Sequence, residues 1–463
     1  MARGALFGKA IVDREIGMIK RASFVFAAAA LLAGAASPAM AQAPAAPSMS
    51  PASVPIVAPQ PAAMLPFSAV TAYYASHRQA AIWFRGGANR VAAERLAAIL
   101  RRAPLDGLAS GPQLALQVEA AFAKAASGAP ADVQAAEQTM SAAWVLYVQA
   151  IKRPTPGMIY AYASLSPQGS RADQVLLTAS AAPSLEVHLD AVARVNPIYA
   201  QIRDAGIAAA SAAPGFGPDP RIVANLERAR SIPARGRFIL VDVATQRLFM
   251  YENGQPIDSM KVVVGMNEYR TPMIASIIHY AVFKPYWDVP HHLVKKMAPN
   301  VIKQGAAYLK GRGYDVMSDW THAATVIPAS QVDWKAVAAG TKQIRVRQLP
   351  GAANSMGKIK YPFPNGEGIY LHDTPTREHF LKSRRDISNG CIRLEDAARL
   401  GRWMLGREPV GTTGAAEEVA SLPTGMPIFV TYLTAQPSGG QLTFVTDFYG
   451  LDGAGPAKVA AVQ

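Results

Sequence analysis

One cysteine, Cys391, occurs in the 463 residues, and its setting limits what the chain can be. It lies in a polar turn beside Gly390, and the flanks are basic: Lys382, Arg384, Arg385 and Arg393. Neighbouring cations lower the pKa of a cysteine from about 8.5 and favour the thiolate. The setting therefore predicts a reactive thiol. The alternative is a small buried residue, because lone cysteines are common in protein cores.

A histidine accompanies this cysteine. His372 lies nineteen residues upstream, after an apolar run (369–371) that is typical of the end of a strand. A helix is predicted to begin at Leu394, where its positive end would help to hold a thiolate. A histidine at a strand end beside a cysteine supplies the base and the nucleophile of covalent catalysis. A loop histidine without a catalytic role is the alternative.

The stretch resembles the active-site motif of the L,D-transpeptidases with a YkuD-type catalytic domain. In that family an upstream histidine is followed, after a loop of fixed length, by Ser/Thr-His-Gly-Cys, a hydrophobic residue, and Arg or Asn. Asn389 stands where the motif has its second histidine. The run 370–375 (Tyr-Leu-His-Asp-Thr-Pro) is similar to the YcbB-like branch in particular. The positions that match the motif are His372, Ser388, Gly390, Cys391, Ile392 and Arg393.

The resemblance implies a role for the main residues of this motif. Cys391 attacks an amide carbonyl of a peptidoglycan stem peptide, and His372 acts as base and later as acid toward the leaving amine. Backbone amides around Gly390 and Cys391 are the expected oxyanion donors, because glycine lets the backbone approach closely. Ser388 and Asn389 belong to the same predicted group of oxyanion and substrate-binding residues.

Two interpretations are open for each of three further residues. Arg393 is expected to bind a substrate carboxylate bidentately, or else to pair with Glu395 or Asp396. Tyr370 and Asp373 flank the histidine, and each either orients it or serves the structure only.

The resemblance also implies the substrates. The donor is a tetrapeptide stem whose terminal D-Ala leaves, the acceptor is a diaminopimelate amine, and the product is a 3→3 cross-link. Carbapenems are expected to inactivate such an enzyme, and no metal or organic cofactor is implied. Two other classes stay open: a peptidoglycan hydrolase on the same fold, and a non-catalytic wall-binding protein, which Asn389 favours. An amine of an outer-membrane protein is the alternative acceptor.

The N-terminus has the pattern of an exported protein. A basic pair and an apolar run (24–36) precede the small-x-small pattern at 39–41. We therefore expect a signal peptide over 1–41, a periplasmic, cell-wall-associated protein, and membrane contact only before cleavage. Acidic residues before Met18 do not suit a signal peptide, which favours Met18 as the true start. An uncleaved signal anchor is the alternative.

The rest of the chain predicts an α+β protein: an N-terminal α-helical scaffold domain followed by a mainly-β YkuD-type catalytic domain with a capping insertion. Leu96, Ile99 and Leu100 have helical spacing. Asn253-Gly254 between apolar runs is a hairpin signal. A closing strand pair is expected over 427–432 and 442–447. The predicted ranges are an Ala/Pro-rich linker (42–66), the scaffold domain (67–213), a linker (214–236), the catalytic domain (237–452) with its cap insertion (287–345), and a disordered tail (453–463).

The net charge of +14 is strongly positive. The sequence has no nucleic-acid motif and no compact basic run, so an anionic cell-wall polymer is the expected partner. A solvated surface without a partner is the alternative. His291-His292 do not predict a metal site, because adjacent histidines point apart on a strand and no Cys or acidic partner stands at ligand spacing.

Overall fold

The architecture comes from a computed structural model that describes residues 65–77, 81–212 and 219–453. The predicted signal peptide, nearly all of the Ala/Pro-rich linker and all but the first residue of the predicted tail lie outside these ranges. Within them, no helix combines the length and the apolar character that a bilayer span requires.

The N-terminal part is helical: α1 to α6 share one core, whereas α7 buries Tyr199 and Ile202 in a second cluster together with α8 and the sheet. Leu96, Ile99 and Leu100 are buried on one face of α2, and Asn89 caps that helix by accepting a hydrogen bond from the N–H of Ala92. The helices are α1 (Phe67–Ser76), α2 (Arg90–Arg102), α3 (Gly111–Ala125), α4 (Pro130–Ile151), α5 (Ala172–Ser180), α6 (Leu185–Ala193) and α7 (Pro197–Ala212).

The C-terminal part is mainly β-structure, with five more helices. The helices are α8 (Pro220–Ala229), α9 (His291–Gln304), α10 (Ala306–Lys310), α11 (Trp334–Ala339) and α12 (Ala397–Leu405). The strands of the described chain are β1 (Ile159–Tyr160), β2 (Arg237–Asp242), β3 (Arg247–Glu252), β4 (Gln255–Gly265), β5 (Ile274–Phe283), β6 (Trp287–Asp288), β7 (Tyr314–Met317), β8 (Val326–Ile327), β9 (Arg345–Gln348), β10 (Ile359–Pro362), β11 (Tyr370–His372), β12 (Asp386–Ser388), β13 (Ile392–Leu394), β14 (Glu418–Thr431), β15 (Ala435–Ser438) and β16 (Gln441–Phe444).

Eight of these strands pair into a closed ring around the catalytic core. The order is β5-β10-β11-β13-β4-β3-β2-β14, and the long strand β14 pairs with β5 again. Inward-facing residues of every strand form one apolar cluster, which includes Val262, Leu371 and Ile392. The strands β11 and β13, which carry motif residues, lie side by side in this ring, between β10 and β4.

The cap insertion forms a separate small subdomain. Its strands pair in the order β6-β9-β7-β8, apart from the ring, and α9, α10 and α11 pack on them. Val294, Val337 and Val346 are fully buried in its own core. The predicted α+β class, with a helical scaffold domain before a mainly-β domain, is confirmed.

Two predicted features differ from the structure. Residues 214–236 contain α8, which buries Leu226 and whose Arg228 pairs with Asp452 at 2.6 Å, so this segment is a packed element and not only a linker. The predicted pairing of 427–432 with 442–447 is wrong. β14 is already paired on both sides, by β2 and β5, and β16 pairs with β15 instead.

The scaffold part also contributes a strand to the catalytic sheet. β1 pairs in parallel with the start of β5, with Ile159 opposite Ile274. The N–H of Ile159 donates to the carbonyl oxygen of Met273 at 2.9 Å. The two domains are therefore joined through backbone hydrogen bonds as well as through side chains.

Candidate active site

Four polar side chains share one face of the sheet. β11 and β13 pair in parallel, so that His372 lies beside Arg393, and the same register places Tyr370 beside Cys391, the residue just before β13. Residues that pair directly, and residues two apart on a strand, lie on the same face of a sheet. Tyr370, His372, Cys391 and Arg393 therefore form one patch, and the residues between them point into the core on the other face.

The backbone holds His372 in one tautomer. The residue is 2% exposed, and its Nδ1 lies 2.5 Å from the carbonyl oxygen of Asp373. Because a carbonyl oxygen only accepts, Nδ1 carries the proton and Nε2 keeps its lone pair. Burial, followed by the charges of Arg393 and Lys360, lowers the pKa of His372 to about 3. The imidazole is therefore neutral at pH 7, with Nε2 free to accept a proton.

The thiol of Cys391 is half-buried and protonated in the resting protein. Its Sγ lies 3.7 Å from the carbonyl oxygen of Gly368, which accepts a hydrogen bond from the S–H group. Burial raises the pKa of Cys391, whereas the N–H and hydroxyl of Tyr370 and the cations Lys360 and Arg393 act in the opposite direction. Arg393 of the basic flank thus favours the thiolate, as predicted, but burial has the larger effect on the pKa of Cys391 and acts in the opposite direction.

Two arginines that were expected to stabilise the thiolate of Cys391 bind other groups, and the expected helix begins further along the chain. Arg384 pairs with Asp386, and the guanidinium of Arg385 donates to backbone carbonyls. The residues after Cys391 form β13, which pairs with β11 on one side and β4 on the other, instead of a helix. The helix α12 begins three residues later than predicted and is capped by Asp396.

Side-chain hydroxyls close the turn before the cysteine. The Oγ of Ser388 accepts from the N–H of Gly390 at 3.1 Å and donates to the carbonyl oxygen of Cys391 at 2.7 Å. Gly390 has φ +105°, a conformation that favours glycine. The N–H of Gly390 is therefore used within the turn. The N–H of Cys391 has no hydrogen-bond partner among the residues that the structure describes, so it is the one available as an oxyanion donor.

Arg393 is free to meet a ligand. In the described parts of the chain its guanidinium makes no ion pair and no hydrogen bond, because the two expected partners are engaged elsewhere. Glu395 accepts from the backbone N–H of Lys261 at 2.9 Å, and Asp396 caps α12. The alternative in which Arg393 pairs with either carboxylate is therefore not found.

The two residues that flank the histidine act on it in different ways. The Asp373 carboxylate accepts from the N–H of Lys358 at 2.8 Å and pairs with Arg377 at 2.6 Å, so only the backbone carbonyl of Asp373 orients His372. The Tyr370 ring lies edge-on to the imidazole, with centroids 5.9 Å apart.

Asn389 connects the turn to the cap insertion. Its Oδ1 lies 3.2 Å from Nε2 of His292 on α9, and the His292 ring stacks on Tyr269 with centroids 4.6 Å apart. The residue that replaces the second motif histidine therefore ties the catalytic turn to the cap. Across the described ranges, no three His, Cys, Asp or Glu side chains come together as a metal site.

Two residues of the site were not predicted from the sequence. β10 pairs antiparallel with β11, which places Lys360 opposite His372, and its Nζ lies 4.2 Å from the centroid of the Tyr370 ring. The Oγ1 of Thr271 donates to the carbonyl oxygen of Gly390 at 2.6 Å. Neither position carries a local signal, because both contacts depend on which distant strands and loops come together.

Two domain models match this chain. Residues 236–428 match the model of the L,D-transpeptidase catalytic domain (YkuD), and residues 68–205 match the Scaffold domain model. A putative L,D-transpeptidase from Haemophilus influenzae is 25% identical over 397 residues, which cover 82% of this chain and 77% of that protein.

Two solved structures are similar over shorter regions. An L,D-transpeptidase from Mycobacterium smegmatis has a TM-score of 0.20 and 11% identity, covering 42% of this chain and 59% of that one. The Ldtfm–avibactam carbamoyl enzyme has a TM-score of 0.21 and 11% identity, covering 43% and 50%. The matched region thus spans between half and three fifths of those two chains. The two domain models thus identify an L,D-transpeptidase catalytic domain of the YkuD type behind a Scaffold domain in this chain, and the chain is similar to the Haemophilus influenzae protein over most of its length.

Proposed function

We propose that this enzyme forms a thioester between Cys391 and a peptidoglycan tetrapeptide stem and transfers the acyl group to an amine. One observation carries the proposal: the thiol of Cys391, just before β13, and the imidazole of His372 on the paired strand β11 lie on one face of the sheet, and the carbonyl of Asp373 fixes the imidazole proton on Nδ1. A base with a bare Nε2 beside a thiol is what covalent catalysis at a buried cysteine needs.

The chemistry follows from this resting state. As Sγ bonds to the amide carbonyl carbon, the thiol proton moves to Nε2 of His372. The C–N bond then breaks, and the imidazolium returns this proton to the leaving D-Ala amine. In the second half, an acceptor amine attacks the thioester and loses a proton to His372, which restores the Cys391 thiol when the C–S bond breaks.

Two donors are available to the negative oxygen of the tetrahedral intermediate. The N–H of Cys391 has no competing partner among the described residues, and the Tyr370 hydroxyl lies close enough to Sγ to act on the thiol. Donors of this kind stabilise the transition state more than the substrate when water is excluded. The unpaired Arg393 on the same face is suited to a carboxylate of the donor peptide.

The cellular setting is part of the same proposal. The signal-peptide pattern over 1–41 supports export to the periplasm, and the positive net charge suits an anionic wall polymer. A diaminopimelate amine as acceptor gives a 3→3 cross-link in cell-wall remodelling. An outer-membrane protein amine as acceptor, or water in its place, gives protein attachment or hydrolysis from the same thioester.

Intact-mass spectrometry with a carbapenem tests the acylation site. Wild type is expected to gain one adduct, Cys391→Ala none, and His372→Ala an adduct that forms much more slowly. The matched control is His322→Ala, which changes an exposed histidine of the cap insertion and is expected to react like wild type. A well-folded wild type that gains no adduct would contradict the proposal. Muropeptide analysis of the products then separates transfer from hydrolysis.

A further inference from the structure

Two cations stand on either side of the catalytic histidine. Lys360 on β10 pairs with His372 on β11, and His372 pairs with Arg393 on β13. The three side chains therefore form a row across three neighbouring strands, on the face that also carries Cys391. Lys360 and Arg393 are both half-buried, and among the described residues neither forms an ion pair.

The surrounding carboxylates do not neutralise this row. Asp373 beside His372 is held by Arg377, Asp288 of β6 by Arg345, and Asp396 caps α12. Glu395 accepts from a backbone N–H. Tyr370, Cys391 and His379 also lie near these cations, and burial disfavours the charged form of each. Two positive charges thus flank a buried imidazole, and among the described residues Lys360 has only the face of the Tyr370 ring as a partner and Arg393 has no ion pair.

This arrangement opposes the function of His372 as a base. To accept the thiol proton, the imidazole must become a cation between two cations, which costs free energy in a site of low dielectric constant. A carboxylate bound by the flanking cations removes this cost and adds an attraction for the imidazolium. Unpaired half-buried cations are also the side chains that bind carboxylates well.

We propose that Lys360 and Arg393 together form a carboxylate site over His372, and that an anionic substrate must occupy it before His372 accepts the proton of Cys391. The inference rests on the proposed function and deepens it. The carboxylate of the substrate thereby enables His372 to act as a base. Peptides that lack this carboxylate are poor donors even when they bind in the active site. Lys360 is a substrate-binding residue, since its ammonium group contacts the carboxylate that stabilises protonated His372.

The single cysteine allows a direct test with two small alkylating agents. Iodoacetate carries a carboxylate and iodoacetamide does not, so the ratio of their rates reports anion binding, while the iodoacetamide rate corrects for access to Sγ. The iodoacetate-to-iodoacetamide rate ratio of the full chain is divided by the same ratio for N-acetylcysteine. This normalised ratio is expected to be about ten, which corresponds to the free energy of one charge-assisted hydrogen bond. Lys360→Met and Arg393→Met should each reduce it several-fold, and Lys360→Arg should preserve it. An unchanged ratio in Lys360→Met would overturn the proposal.

The effect of the bound carboxylate on His372 is tested by NMR titration of His372 in Cys391→Ala, with the signal assigned through His372→Gln. Nα-acetyl-L-Lys-D-Ala should raise the titration midpoint by about one pH unit, the effect of one neighbouring charge, and its C-terminal amide should not. Equal effects of the acid and the amide would contradict the inference. If the carbapenem adduct forms at Cys391 but the alkylation ratio is that of a free thiol, the acylation site stands and only the carboxylate site fails. If the alkylation ratio is high but no carbapenem adduct forms, the carboxylate site stands and the acylation site fails.

Discussion

The pair of Cys391 and His372 is set by a parallel register between two very short strands. β11 and β13 are each three residues long, and a shift of either strand by one residue would turn that strand's site residues into the core. The hydrogen bond from Nδ1 to the Asp373 carbonyl uses backbone, so the tautomer does not depend on any further side chain. The charge state of the pair follows from burial and from Lys360 and Arg393.

The thiol is expected to titrate above the ordinary range. Burial raises the pKa of Cys391, so the thiol form persists at pH 7, and thiolate appears only as the pH rises past the value of a free cysteine, about 8.5. The pH profile of iodoacetamide alkylation measures this, with N-acetylcysteine as the reference. A midpoint below 7 would mean that the resting site is a thiolate–imidazolium pair.

Thr271 is expected to hold the catalytic turn from outside the motif. Thr271→Val keeps the shape but removes the hydroxyl that donates to Gly390 and accepts from the N–H of Gly265, leaving buried polar groups without partners. We expect a loss of about 1–3 kcal/mol in the free energy of unfolding and slower acylation. Urea denaturation and carbapenem kinetics measure both effects. Thr271→Ser keeps the hydroxyl and should stay near wild type; equal losses in the two variants would point to packing.

At the scale of elements, the sequence indicated the two domains, the strand end at His372 and the catalytic turn. It failed where pairing between distant segments overrides local pattern. Residues 392–394 precede a helical pattern, yet they are strand, because β11 and β4 both pair with them. Lys360 could not be predicted, since its place depends on the register of β10. The helix α8 could have been found: Asp219 and Pro220 form a start signal before an amphipathic segment.

The helix α8 is expected to be as important for stability as a core strand. Arg228 pairs with Asp452 and donates to the carbonyl oxygen of Tyr432 at 2.7 Å. The side chains of Arg228 and Asp452 are both almost fully buried. Arg228→Met leaves a buried carboxylate unpaired and should cost about 3–5 kcal/mol. Arg221→Met, on the same helix, removes an ion pair whose arginine is half exposed and should cost at most about 1 kcal/mol. Chemical denaturation compares the two, and similar losses would contradict this role.

At the scale of the whole molecule, the scaffold and catalytic domains share structure. An apolar cluster combines Leu105 and Tyr199 of the scaffold side with Phe238 and Phe429 of the ring. A polar connection runs beside it, because Arg230, the residue after α8, donates to the carbonyl oxygen of Asp106 in the α2–α3 loop at 3.3 Å. The scaffold is therefore a structural part of the enzyme, in addition to any partner that it binds.

This coupling predicts that both domains unfold together. Asp106 is fully buried and accepts from the hydroxyls of Tyr147 at 2.9 Å and Tyr199 at 2.7 Å, with Arg203 3.8 Å away. Asp106→Ala should cost about 3–5 kcal/mol, because it leaves two buried tyrosine hydroxyls without their acceptor and removes one of the two carboxylates beside the buried Arg203. In urea denaturation, the helical circular dichroism signal should be lost at the same urea concentration at which Cys391 becomes exposed to a thiol reagent. Asp106→Ala should lower this shared midpoint.

The control is Asp190→Ala, which removes an exposed partner of Arg95 and should change stability by less than about 1 kcal/mol. Separate midpoints for the helical signal and for the cysteine would show that the scaffold unfolds independently.

The most direct test of the account is the thioester itself. The full chain is incubated with a tetrapeptide stem that ends in D-Ala, quenched in acid, and weighed by intact-mass spectrometry. Wild type is expected to gain an adduct at Cys391 with the mass of the donor less D-Ala, and this adduct should disappear when an acceptor amine is added. Cys391→Ala should form no adduct, and His372→Ala should form it much more slowly. Release of D-Ala by Cys391→Ala at the wild-type rate, or a folded wild type that never acquires the adduct, would contradict the central claim.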